Sequence, residues 1–193
     1  MTNPYASPAW PVPVATHAVR RVPLLHELGV GLLVTVYSIA FGGVLGIVWP
    51  HVAPHVDLAR AYFLGSEAAA TPLLGQDLWF GVLGLAAGVL CVAAVLPFGE
   101  IGRGPGGLIG LAVGGFVGSL VAAHLGMHTQ RPIQVAELRH AVPMIDQVNL
   151  TRCLHFFGFG VRTKHVLLAW PIAAVVVHSG ALLVRALRHG SAD

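Results

Sequence analysis

Charge is what this sequence has least of. Asp, Glu, Lys and Arg make up 10% of its 193 residues, where a soluble globular domain carries about 25%. So few charges cannot cover a water-facing surface. With 55% hydrophobic residues and a mean hydropathy of +0.76, lipid must be the solvent for much of the chain. The net charge of +3 is scattered, and no basic run or interleaved aromatic patch accompanies it, which excludes a nucleic-acid partner. Cysteine is scarce too. Cys91 and Cys153 stand far apart without a C-x-x-C, which leaves no disulfide framework and no thiolate metal site. The motifs of catalysis are also missing: there is no G-x-S-x-G, no P-loop and no framed pair of carboxylates. Glu137 and Asp146 read as solvated loop residues, and the chain reads as a non-enzyme with no catalytic residues and no cofactor.

What is present is four long apolar runs, at about 28–48, 78–97, 108–125 and 166–187. About 20 apolar residues cross a hydrocarbon core of roughly 30 Å, and only a helix satisfies its own backbone there. The spacing predicts an all-α membrane protein, a bundle of four transmembrane helices over 28–187. Local signals set its limits. Trp49-Pro50 closes the first span with an interfacial aromatic and a helix breaker. Asp77 is placed to cap the second helix beside an interfacial Trp79, Pro97 ends that helix, and Pro105 opens the third. Trp170-Pro171 falls in the first turns of the fourth, where it can kink the chain.

Residues 1–27, with four prolines among the first thirteen, read as a disordered tail, and 188–193 as a second short tail. Arg20-Arg21 ahead of an apolar run resembles an export signal, with Ser38-Ile39-Ala40 as a cleavage site. The run continues to Val48, longer than a signal peptide's core, so retention is expected. Four spans place both termini on one side. The basic residues closest to the spans there (Arg20, Arg21, Arg103, Arg185 and Arg188) make that side cytoplasmic, although Arg162 and Lys164 flank the fourth span on the other.

The connections at about 49–77 and 126–165 are too long to be simple turns. "HVDLARAYFLG" (55–65) and "QVNLTRCLHFFGFGVRT" (147–163) have strand-like character, while "SEAAATPLLGQD" (66–77) and "PIQVAELRHAV" (132–142) suggest short helical pieces. Together they are expected to form a small extracytoplasmic cap of mixed β and short-helix structure. Tyr62, Phe63, Phe156, Phe157 and Phe159 would supply its core.

Two glycine patterns overlap at 102–126. Gly102-Arg-Gly104-Pro-Gly106-Gly107 satisfies G-x-G-x-x-G, but no strand precedes it. Position 122 is Ala, and the next acid is Glu137 beyond the span, so nucleotide binding is excluded. The period-four stripe Gly106, Gly110, Gly114, Gly118 continues through Ala122 to Gly126. A stripe without side chains lets another backbone approach closely. Ser38, Gly42 and Gly46 in the first span and Gly84 and Gly88 in the second offer matching faces, inside the bundle or toward a membrane-protein partner or a second copy.

Polar residues within the spans are few. His178 falls near the middle of the fourth, at the depth of Tyr37 and Ser38 in the first, and a neutral imidazole in hydrocarbon needs a partner. One of those two side chains or a backbone carbonyl is expected to supply it. No intramembrane carboxylate accompanies His178, which weakens proton-coupled transport. His124 and His128 are spaced i, i+4, as are His51 and His55, with Pro54 interrupting the second pair. These are two-ligand arrangements without a complete metal signature.

The stretches "DLWFGVLGLAAGVL" (77–90), "GGLIGLAVGGFVGSLVAAHLG" (106–126) and "VLLAWPIAAVVVHSGALLVRAL" (166–187) together resemble a family of small actinobacterial integral membrane proteins known only as a domain of unknown function, number 2567. The resemblance covers about two-thirds of the chain and implies a four-helix plasma-membrane protein with an external cap; it carries over no catalytic residues. The sequence therefore points to a non-enzymatic accessory or scaffold subunit of a membrane or envelope complex. A small transporter or channel component using the His178 region is the alternative, and a metal-binding or enzymatic envelope protein built on the cap histidines is a third reading.

Overall fold

A computed structural model describes residues 24–98 and 104–190. The N-terminal tail, the last three residues and the first part of the glycine-rich turn (Gly102, Arg103) lie outside the described residues, as do Arg20 and Arg21. The elements are α1 (Leu24–Val52), α2 (Leu58–Leu64), α3 (Ser66–Val95), α4 (Pro105–Ala141), α5 (Gln147–Phe157) and α6 (Ala169–Gly190), with short 3-10 turns at Leu96–Phe98 and Lys164–Leu168. The fold is all-α, and α1, α3, α4 and the stretch Lys164–Arg188 are long and apolar enough to cross a membrane. They alternate in direction along the chain. The end where α1 begins is called here the tail end, and the opposite one the loop end.

The closest pairings are not between sequence neighbours. Parallel helices α1 and α4 meet along the glycine stripe, in register: Val34 at Gly110, Ser38 at Gly114, Gly42 at Gly118, Gly46 at Ala122 and Trp49 at Gly126. A Cβ on Gly114 would lie 2.8 Å from Ser38 Cβ, and one on Gly46 would lie 2.8 Å from the Ala122 carbonyl oxygen. Two rows of small residues, both of period four, thus bring the backbones into direct contact, where dispersion rather than the hydrophobic effect is the attraction. The second parallel pair, α3 with α6, sets Gly84 and Gly88 against Trp170, Ala173 and Ala174. Trp170 joins the two pairs. Its ring lies over Gly118, its Cδ1 is near Gly115, and Phe41 meets it edge-on at 6.0 Å.

At the loop end the helices outrun a bilayer. The 37 residues of α4 extend about 55 Å at 1.5 Å per residue, against a hydrocarbon core of about 30 Å. Its continuation carries Leu138 into a second core with Val56, Leu58, Ala61, Ala69, Leu150 and Cys153. The loops expected to dock on each other do pack together here, but not with the expected structure. Among the described residues there is no strand. The two strand-like stretches are helices α2 and α5, each opened by an aspartate cap: Asp57 accepts the Arg60 N–H at 2.9 Å and Asp146 that of Asn149 at 3.0 Å. The helical pattern was easy to miss because each helix buries only two residues, three apart: Leu58 and Ala61, Leu150 and Cys153. The aromatic core expected there is also corrected. Phe63 and Phe156 are exposed, Tyr62 and Phe157 flank the cluster, and Phe159 joins the main core.

Terminal signals shift as well. The second span's helix starts at Ser66 rather than near Asp77, and the first continues through Pro50 to Val52. Trp49 is fully buried, packed edge-on against Phe80 (4.8 Å) and tilted against Phe159 (4.4 Å). Pro105 occupies the first turn of α4 as expected.

The glycine register makes a direct prediction. Gly114→Leu and Gly42→Leu should each lower the thermal stability of the purified protein by at least about 1–3 kcal/mol through overpacking against backbone. Gly43→Ala and Gly180→Ala, where a Cβ meets nothing within 4 Å, should not lower stability and, from helix propensity, should raise it by up to about 1 kcal/mol. Equal melting temperatures for the two sets would refute the packing.

Candidate functional site

The chemistry-bearing residues gather at the loop end, where the segment 158–163 crosses from α5 to the fourth span. Its sequence, GFGVRT, explains its path. A Cβ on Gly158 would collide with the Leu154 carbonyl, and one on Gly160 would lie 3.0 Å from Met127 Sδ. Phe159 between them is driven against Trp49. Gly158 N–H still bonds the Leu154 carbonyl at 3.0 Å, but beyond it the helix has ended and the following amides need other acceptors. Side chains from the long helices provide them. Gln134 Oε1 accepts from Phe159 N–H at 3.0 Å and Gln76 Oε1 from Gly160 N–H at 3.3 Å. The two Asp77 oxygens accept from Arg162 and Thr163 N–H, both at 2.8 Å. Gln76 also donates from Nε2 to the Pro54 carbonyl, and its own carbonyl accepts the Trp49 indole N–H.

Asp77 therefore corrects the sequence reading. Three turns inside α3 it cannot cap that helix; its carboxylate instead receives the backbone leading into the fourth span, 85 residues away in sequence. Such charge-assisted bonds are worth about 1.5–3 kcal/mol each. Arg162 closes the turn from the other side, donating from Nη1 to the His155 carbonyl at 2.7 Å and from Nη2 to that of Gly158 at 2.6 Å. Desolvation of its inner part pushes the guanidinium pKa down, and Asp77 opposes that shift. Burial likewise pushes the Cys153 thiol up. Gln76, Gln130 and Gln134, all buried, were not singled out in the sequence. The signal was there: Gln76 and Asp77 are adjacent polar residues in a helix otherwise apolar beyond Pro72.

Beside the 158–163 segment, called here the strap, lies a cavity of about 310 Å³ that includes Arg131, His155 and Arg162 in its wall. The histidine pairs do not converge on a metal. His124 and His128 are exposed on α4 with ring centres 6.1 Å apart. His51 bonds the Ile47 carbonyl, and His55 stacks on Phe159. No set of three His, Cys, Asp or Glu able to hold a metal occurs among the described residues.

Within the spans, Thr35 donates to the Gly31 carbonyl and Ser119 to that of Gly115, so each hydroxyl is satisfied on its own helix. The expected partnership of His178 is not formed. Tyr37 faces outward, and both imidazole nitrogens of the fully buried His178 lack a hydrogen-bond partner, as do Ser38 Oγ and Trp170 Nε1. The stripe glycines 106, 110, 114 and 118 and the glycines 42, 46, 84 and 88 are buried within the chain. At the tail end, Glu27 of α1 accepts the Gly106 N–H at 2.9 Å. A carboxylate from the neighbouring helix thus takes the amide of the glycine-rich turn that a phosphate would require.

Compared with protein-family models, with curated proteins and with solved structures, the chain matches none.

Two outcomes follow from this site. Asp77→Asn leaves one acceptor for two amides and should cost about 1–3 kcal/mol; hydrogen exchange at Arg162 and Thr163 should rise selectively, and unchanged exchange would refute the strap. His178→Leu removes an unpartnered imidazole from the interior and should raise the melting temperature, by about 1–3 kcal/mol in stability; a fall would show that the imidazole is bonded.

Proposed function

We propose that this chain is a multi-pass plasma-membrane protein with both termini in the cytoplasm, its loop end forming an extracytoplasmic cap. In this reading it serves as a non-enzymatic accessory or scaffold subunit of a membrane or cell-envelope complex, and it belongs with the actinobacterial family of unknown function that its spans resemble. The observation that carries the proposal is how the small residues are used. The glycine stripe is spent inside the chain, joining α1 to α4, so the bundle interior is backbone contact and aromatic filling around Trp170. Close packing of this kind favours a structural subunit over a transport path through His178.

The outward face of α1 remains available to a partner. Leu32, Leu33, Val36, Val44 and Ile47 are exposed there, interrupted by the small residues Gly29, Ala40 and Gly43, where a partner helix could approach. The density of arginine beside the tail-end termini supports the cytoplasmic assignment.

Native cysteines do not interfere with a crosslinking test, since Cys91 and Cys153 are both buried. A single Ala40→Cys variant, expressed in its native membrane, should crosslink to a different membrane polypeptide, while Leu85→Cys on the exposed face of α3 should not. Crosslinking of Ala40→Cys only to a second copy, or to nothing, would overturn the accessory role.

A further inference from the structure

Two cavities at the loop end are neighbours and have part of their walls in common. The first, of about 310 Å³, lies beside the strap, and the second, of about 350 Å³, lies between α4 and the start of the fourth span. They share Met127 and Val161. Their chemistry differs along this path. Arg131, His155 and Arg162 line the first, while the second is lined by Leu120, exposed on α4, and the half-buried Leu167, together with His124 and Lys164. No Asp or Glu lines either cavity. Arg131 is exposed and makes no hydrogen bond or ion pair among the described residues. Arg162 spends one donor of each terminal nitrogen on the strap carbonyls and retains others.

We propose that this groove is a binding site for an anionic phospholipid, with the phosphate between Arg131 and Arg162 and an acyl chain descending past Val161 along Leu120 and Leu167. Each part of the site matches a part of that molecule. Guanidinium groups bind phosphate through paired N–H donors. The first cavity is large enough for a headgroup, at the lower end of small-ligand sites. The apolar end faces the hydrocarbon, so the chain enters without leaving the bilayer. With no carboxylate in the wall, the ammonium of a zwitterionic headgroup has no counter-ion, whereas net negative charge is matched. The strap that Asp77 and Gln134 hold in place also sets the height of Arg162, so the fold of the junction and the shape of the site are coupled. The inference does not depend on an accessory role, because the groove is formed by this chain alone.

The test uses the full chain, purified in neutral detergent, stripped of lipid and titrated with defined lipids under native mass spectrometry. Phosphatidylglycerol should bind about tenfold more tightly than phosphatidylcholine of the same chains, and Arg131→Glu should weaken it by about tenfold or more. Leu120→Trp, which fills the apolar end from an exposed position, should also weaken it. Arg60→Glu, the same charge change on α2 away from the groove, should not. Arg131→Gln, which keeps a polar side chain of similar reach, should lose most of the affinity while melting as the parent does. Equal binding of the two lipids, full binding by Arg131→Glu, or an equal loss with Arg60→Glu would each overturn the proposal. Inorganic phosphate at the lipid's own concentration should not displace it; displacement would make this a free-anion site and overturn the lipid assignment.

Discussion

Backbone-to-backbone contact between α1 and α4 is the constraint on which the other packing rests. Both helices carry small residues at every fourth position, and the two rows meet in one register from Val34 and Gly110 to Trp49 and Gly126. In lipid no hydrophobic effect drives helices together, so affinity depends on how many atoms come within dispersion range. Glycine increases that number by letting main chains touch. Once α1 and α4 are joined, Gly115 and Gly118 leave a hollow on another side of α4 that Trp170 fills. That indole brings α6 into place, and α6 in turn holds α3 through Gly84 and Gly88. A side chain at Gly42 or Gly114 would therefore disturb more than one helix pair.

The loop end solves a different problem. Where the chain leaves α5 for the fourth span, its amides are buried without a helix to satisfy them, and long-helix side chains take that role. Gln134, Gln76 and Asp77 accept four of these N–H groups. Each comes from a helix that continues beyond the hydrophobic run, which gives the length of α3 and α4 a structural purpose. Their extended ends are the scaffold on which α2, α5 and the strap are mounted. The same arrangement sets Arg162 at the rim of the cavity beside the strap, so the polar junction and the candidate lipid groove share a framework.

Much of this was legible because lipid simplifies the reading. Runs of 20 apolar residues have one outcome in a bilayer, and the start of α4 at Pro105 follows from proline's missing N–H. The glycine stripe could be recognised as a packing face from its period alone. The caps at Asp57 and Asp146 were equally visible in type, but α2 and α5 are so short that helical and alternating patterns look alike in them. Asp77 shows the harder case. A carboxylate at the edge of an apolar run looks like a helix cap, yet its acceptors serve a segment distant in sequence. His178 shows the converse, because depth in the span placed it level with Tyr37 while the rotation of α1 turned Tyr37 outward.

The sequence by itself determined that four long stretches are helices able to cross a membrane and that the third presents a small-residue face. These are local properties, set by hydropathy, by period and by the backbone's need for hydrogen bonds in lipid. Which helix lies against that face was decided only by the tertiary structure. Any of the other three carries small residues, and the choice of α1 depends on the simultaneous fit of two rows and on the site left for Trp170. The acceptors of the 158–163 strap and the neighbouring cavities beside it were likewise out of reach of sequence, because each is made by residues from three segments brought together only when the bundle closes.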